Sequence, residues 1–248
     1  MESRLATSSV SDCLDMVEHQ MNHPCPGCGA AMSYTAEWVI GWGTPPKDYC
    51  DECKAQAVAE RQEREQREGV YNRLWLASVP ENMQRWSDKL GAKHKHLYEF
   101  ATANRERSIW LHGATGAGKS TSLCGALRDA IEDNFCLRCK YVNAVDFAAA
   151  IDNRAVGYVG ELLRMELVVL DDFGAGRISG DAGKALYRLF DAAYSTGSPR
   201  LWVASNLASD KLPGKFADQA IGKRIVGRAA RMINEGRMAL YAPNGGRR

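Results

Sequence analysis

Residues Gly113-Ala114-Thr115-Gly116-Ala117-Gly118-Lys119-Ser120 satisfy the pattern GxxxxGK(S/T). A chain that wraps phosphate oxygens must turn its N–H groups inward, through backbone conformations that glycine reaches without steric cost. Gly116 and Gly118 supply that freedom. A helix opening near Ser120 would aim its positive end and unpaired N–H groups at the bound anion. In this reading Lys119 reaches the β- and γ-phosphates, the Ser120 hydroxyl ligates Mg²⁺ and Thr121 adds a phosphate contact. The chemistry implied is binding of ATP or GTP.

A second element lies about fifty residues downstream, where Leu167-Val-Val-Leu ends in Asp171 and Asp172. An apolar strand closing on two carboxylates resembles a Walker B strand. Asp171 is then expected to support the metal and Asp172 to polarise the attacking water. Many ATPases carry the longer Glu at that second place, so the shorter acid leaves the hydrolysis rate open.

A different chemistry sits near the N-terminus. Cys25-Pro-Gly-Cys28 and Cys50-Asp-Glu-Cys53 are separated by 21 residues, close to the spacing of zinc ribbons and treble-clef-like knuckles. Each turn would present two thiolates to one tetrahedral Zn²⁺, a closed and therefore structural site, with His23 a weaker candidate ligand. The metal would supply folding free energy that about thirty residues cannot gain from apolar burial alone. Cys13, Cys124, Cys136 and Cys139 read as ordinary thiols. Trp38, Trp42 and Tyr49 suit either a partner surface or the minimal core of such a module.

These groups need elements to hold them. From Ser108 onward strand, loop and helix alternate: SIWLHG, CKYVNAVDF, LVVLDD and RLWVASN read as strands separated by helical or polar stretches. LVVLD and LWVAS are continuously apolar, as in strands covered on both faces of a parallel sheet. Upstream, residues 1–22 read as a tail or a short helix through Leu14, Met16 and Val17. Residues 23–56 form the zinc-binding module, and 57–80 a helical linker supported by Glu60–Arg64 and Glu63–Arg67 pairs. Pro80 opens the nucleotide domain, 81–248, whose first part carries Trp86, Leu90, Leu97, Tyr98 and Phe100 on one or two helices divided at Gly91.

The composition fits this division. The 248 residues allow one substantial core plus a small appendage, and a net charge of +2 makes any basic binding surface a local one. The sequence has no apolar run long enough for a membrane helix and no signal-peptide core, so the cytoplasm is expected.

With GATGAGKST, LVVLDDFG and RLWVASN in that order, residues 108–242 resemble an AAA+ ATPase. The resemblance is to the helicase loaders of DnaC and DnaI type, which share their core with the IstB transposition helpers. It implies an α/β P-loop NTPase with a three-layer parallel sheet core, ATP as the nucleotide, and Asn206 as the sensor facing the lytic water or γ-phosphate. It further implies an arginine finger in Ile221–Arg231, with Arg228 preferred and Arg224 second, on a helix that also presents Arg231. No second sensor arginine is assigned, Arg237 being the residue considered, and the full helical lid of larger AAA+ proteins is not expected. The implied partners are a hexameric replicative helicase held by residues 23–53, single-stranded DNA with Arg154, Arg164 and Arg177 as candidate contacts, and further copies of the chain. The implied setting is a bacterial or phage-infected host cytoplasm, with no membrane contact. Two alternatives stand beside this: an IstB-like helper of transposition and a nucleotide-gated adaptor that does not hydrolyse.

Overall fold

The computed structural model describes residues 16–39, 49–84, 92–136 and 138–242, and the chain divides into two units, Met1–Arg67 and Glu68–Arg248. Cys13, Leu14, Trp42, Trp86, Leu90 and Gly91 lie outside the described residues.

In the first unit, β1 (Met16–Pro24) and β2 (Ala31–Val39) pair antiparallel from Met16↔Val39 to Pro24↔Ala31. The helix expected through Met16 and Val17 is therefore a strand. Weak local preference yields to the hairpin closed by the turn at Cys25, whose N–H donates to Ala30 O at 2.7 Å. Gly29, with φ 77°, makes the return possible.

Helix α1 (Asp51–Leu76) begins directly after Cys50, inside the segment assigned to the module, and not at 57. Asp51 and Glu52 in its first turn favour that start through the helix dipole. Its middle is exposed and laced by Arg61–Glu65 at 2.9 Å and Glu63–Arg67 at 3.2 Å, while Glu60 accepts from Gln56. From Val70 the helix changes character: Val70, Leu74 and the following Ala77 and Val79 are buried in the core of the second unit. That core thus takes in residues upstream of 81.

After α2 (Glu81–Gln84) and α3 (Ala92–Ala103), the second unit is built on five parallel strands. They are β3 (Ser108–His112), β4 (Cys139–Asn143), β5 (Leu167–Asp171), β6 (Arg200–Ser205) and β7 (Met238–Tyr241), in the spatial order β4-β5-β6-β3-β7. Between them run α4 (Lys119–Glu132), α5 (Ala144–Asp152), α6 (Tyr158–Leu163), α7 (Gly180–Thr196) and α8 (Gln219–Asn234). Two sequence expectations change here. The run CKYVNAVDF stops being a strand at Asn143, whose side chain accepts from Val145 N at 2.9 Å and caps α5. The short β7 adds an edge strand beside β3, a fifth beyond the four expected.

Successive strand residues face opposite sides of the sheet. Ile109, Leu111, Val169 and Trp202 pack with Leu123, Leu127 and Ile131 of α4. Trp110, Leu170 and Val203 pack with Phe147 of α5, Leu186 and Phe190 of α7 and Ile225 of α8. The result is three layers with a core on each face. Trp202 is fully buried and satisfies its indole by donating Nε1–H to Arg107 O at 3.1 Å. Among the described residues no helix is long and apolar enough to cross a membrane.

The strand order fixes where a ligand can sit. From β3 the chain crosses to β4 at the far edge and returns through β5 to β6, which lies against β3. In open parallel sheets the crevice at the carboxyl ends of such a reversal is the binding position.

Candidate functional site

Gly113 follows β3 at this reversal, and the loop Gly113–Gly118 leads straight into α4. Gly116 and Gly118 have φ of 78° and 84°, in the left-handed region where side chains are strained. Gly118 is constrained a second way. A Cβ there would stand 2.2 Å from Nδ1 of His94 on α3, and that nitrogen lies 3.1 Å from Ala117 O, donating in the tautomer that protonates it. His94 is thus part of the cradle, although a histidine in AKHKHLYEF gave no sign of it.

Lys119 is buried, and its Nζ donates to Gly113 O and Ala114 O, both at 2.9 Å, and to Asn206 Oδ1 at 2.6 Å. Burial lowers its pKa, an effect opposed by the nearby charges of Asp171 and Asp172. The residue after β6 expected as a sensor and the lysine of the glycine loop are therefore in direct contact.

Asp171, at the end of β5, is 2% exposed. Its Oδ1 accepts from Ser120 Oγ at 2.8 Å and from the Asp172 N–H at 2.9 Å. Asp172 itself sits at φ 51°, a left-handed position that Asp tolerates better than most side chains, as the chain turns off the strand. Asn143 Nδ2 donates to Asp172 Oδ2 at 3.3 Å, and Phe173 N–H is returned to the sheet at Ala204 O, 2.9 Å away. Lys119, Ser120, Asp171, Asp172 and Asn206, drawn from three segments of sequence, share one site. Thr121, the next residue of α4, is half-buried beside them.

The donors present suit a magnesium–nucleotide pair: a hydroxyl and a carboxylate oxygen already within hydrogen-bonding distance, beside an ammonium group and a helix N-terminus.

The arginines of α8 are placed elsewhere. Lys223, Arg224, Arg228 and Arg231 line one shallow cavity of about 430 Å³ with Tyr187. Arg228 is engaged within the chain: it pairs with Asp191 at 2.8 Å, donates to Tyr187 Oη at 3.5 Å and lies 4.6 Å over the Tyr194 ring. Arg224 and Arg231 are exposed. Arg237, the residue considered for a second sensor, lies away from the glycine loop. It precedes β7, its carbonyl accepts from Ser108 N–H, and so it lies at the amino ends of the strands, opposite the glycine loop. Arg154, Arg164 and Arg177 are exposed loop residues.

In the first unit the sulfur atoms of Cys25, Cys28, Cys50 and Cys53 all lie within 4.8 Å of one another. Cys25 and Cys28 come from the β-turn, and Cys50 and Cys53 from the start of α1. The Sγ atoms of Cys28 and Cys50 are 3.6 Å apart. A tetrahedral zinc with Zn–S bonds of about 2.3 Å requires S···S separations near 3.8 Å, so the donor set fits that ion. Cys50 N–H donates to Cys25 Sγ at 3.4 Å, and this bond above all holds the Cys25 thiol down to about 6. Hydrogen bonding with the neighbouring sulfurs, Cys50 foremost, pushes Cys53 up to about 12. A Cβ on Gly27 would come 2.9 Å from Cys53 Sγ, so the turn closes tightly on the cluster.

A model of the family described as IstB-like ATP binding protein matches residues 47–234. No curated protein matches the chain. Among solved structures, a putative primosome component from Streptococcus pyogenes aligns at 20% identity over 69% of this chain and 93% of its own, with a TM-score of 0.50. DnaI aligns at 16% identity over 60% of this chain and 89% of its own, with a TM-score of 0.49. AMPPCP-bound DnaA from Aquifex aeolicus aligns at 21% identity with a TM-score of 0.43, over 55% of this chain and 45% of its own, so the chain spans less than half of that protein. The sheet order and glycine loop make this a P-loop fold of AAA+ type, preceded by a small four-cysteine unit. Because the matched region takes in the glycine loop, both acids, Asn206 and α8, the chain belongs to the IstB-like ATP binding protein family.

Proposed function

We propose that the protein is an ATPase that loads a hexameric replicative helicase, using its cysteine module to hold the helicase and its AAA+ domain to engage single-stranded DNA. The observation that carries the motor half is the meeting of Lys119, Ser120, Asp171 and Asn206 at the sheet's reversal point. The loading half rests on the resemblance to DnaC- and DnaI-type loaders, in which a small N-domain precedes such a core.

Bound Mg²⁺ would neutralise charge developing on the transferred phosphoryl group. The chain's own residues do the rest. Backbone amides of Gly113–Gly118 and the mouth of α4 hold the phosphates, and Lys119 exchanges its carbonyl partners for phosphate oxygens. Ser120 and Asp171 hold the cation. Asp172, steadied by Asn143, orients the attacking water, and Asn206 senses the γ-phosphate. We assign the finger offered to a neighbouring copy to Arg224, because the guanidinium of Arg228 is already clasped by Asp191 and Tyr187. The four cysteines would hold a structural Zn²⁺, which would keep the N-terminal unit folded.

The family match favours one second reading, a helper of transposition that prefers duplex DNA and a transposase. One set of measurements separates the readings: capture of the replicative helicase, and ATP turnover with single-stranded or duplex DNA. The loader reading expects capture that is lost in Cys25→Ser and kept in Lys119→Ala, with turnover stimulated by single strands. Duplex-stimulated turnover without helicase capture supports the second reading. Nucleotide binding without any turnover leaves a nucleotide-gated adaptor.

A further inference from the structure

The strand β4 carries a phenol that none of the roles above uses. Tyr141 is 7% exposed, and its hydroxyl donates to Asp171 Oδ2 at 2.5 Å. The other oxygen of that carboxylate already accepts from Ser120 Oγ and from the Asp172 N–H. An ionised carboxylate offers about four acceptor sites, so these three donors leave little rotational freedom to the group. Tyr141 is itself held from the other side, its N–H donating to Ala77 O at 2.7 Å, just past the end of α1.

We propose that Tyr141 is the positioning residue for Asp171, locking the carboxylate so that Oδ1 stays turned towards Ser120 and the divalent cation the two would share. The proposal rests on reading the site as one for a magnesium–nucleotide complex. Without the phenol, Oδ2 becomes a buried acceptor lacking a donor, and the carboxylate rotates to find one. The cation then loses a fixed ligand, while the glycine loop and Lys119 are untouched.

The test uses full-length protein with Tyr141→Phe and a fluorescent ATP analogue, titrated with and without Mg²⁺. The expected result is metal-free affinity within about twofold of the parent, with the Mg²⁺ concentration at half-maximal tightening raised about tenfold. Turnover should show a fall in kcat with a smaller change in KM. An unchanged Mg²⁺ midpoint overturns the proposal, as does an equal loss of affinity with and without the metal, which would mark a merely structural role. Should Y141F fail to fold, Y141H serves: it returns a ring donor with shorter reach, and its midpoint must also move if the assignment holds. Failure of the underlying reading looks different, because the parent would then show no Mg²⁺-dependent nucleotide binding at all.

Discussion

In the first unit four sulfur atoms lie within 4.8 Å of one another, at the junction of a hairpin turn and a mostly polar helix. In the second, Trp202, Phe147, Phe173 and Phe190 are fully buried, and rings such as Phe173 and Phe190 stack at 5.7 Å between centroids. With zinc bound as proposed, the contrast is between order imposed by coordination and order imposed by the exclusion of water. The glycine loop can therefore be shaped before any ligand arrives, because two apolar layers hold the strands it hangs from. Residues 54–68 of α1, which follow the four cysteines, are exposed, and the geometry of the cluster is expected to depend on a bound zinc.

The strongest way to break this contrast is to remove the metal. Chelation, or Cys25→Ser, is expected to unfold the first unit, since structural zinc in small modules contributes on the order of 10 kcal/mol of folding free energy. Amide exchange checks it: β1 and β2 should lose protection while β3, β5 and β6 keep theirs. Simultaneous loss in both units would end the distinction.

The converse experiment empties the core. Trp202→Ala should cost about 3–5 kcal/mol and lower the melting temperature of the second unit, with zinc content by colorimetric titration unchanged. Lys119→Ala sharpens the comparison inside the second unit. Losing charged hydrogen bonds to phosphate should weaken nucleotide binding about 10- to 100-fold by calorimetry. Removing Lys119 relieves the burial of its ammonium group, and water can reach Ala114 O and Asn206 Oδ1 in its place, so the melting temperature should move less than in W202A. The smallest effect belongs to α1. Glu63→Gln removes an exposed pair with Arg67 and should cost only about 0.3 kcal/mol in a denaturant titration, vanishing at high salt.

What could be read from the sequence followed the range of the physics involved. The glycine loop, the paired acids and the four cysteines were legible because their chemistry demands fixed short spacings. The alternation of strands and helices was legible because burial on both faces leaves continuous apolar runs. Tyr141, Asn143 and His94 were not, because each reaches the site through spatial order: β4 lies beside β5, and α3 lies against the loop before α4. Two partial signals existed. A tyrosine inside a buried strand needs a partner for its hydroxyl, and Asn143 before Ala-Val-Asp has the form of a helix cap. The engagement of Arg228 depends on Asp191, Tyr187 and Tyr194 of α7, which no spacing within α8 could reveal. The start of α1 was misplaced because charge periodicity marks the middle of a helix better than its first turn.

The fit of His94 against Gly118 makes two distant stretches of sequence a single heritable part. A methyl group at 118 would evict the imidazole and break its bond to Ala117, and it would also strain a left-handed backbone. Anyone grafting this glycine loop into a relative, or exchanging α3 between relatives, would have to move both pieces together or trim the ring at 94 first.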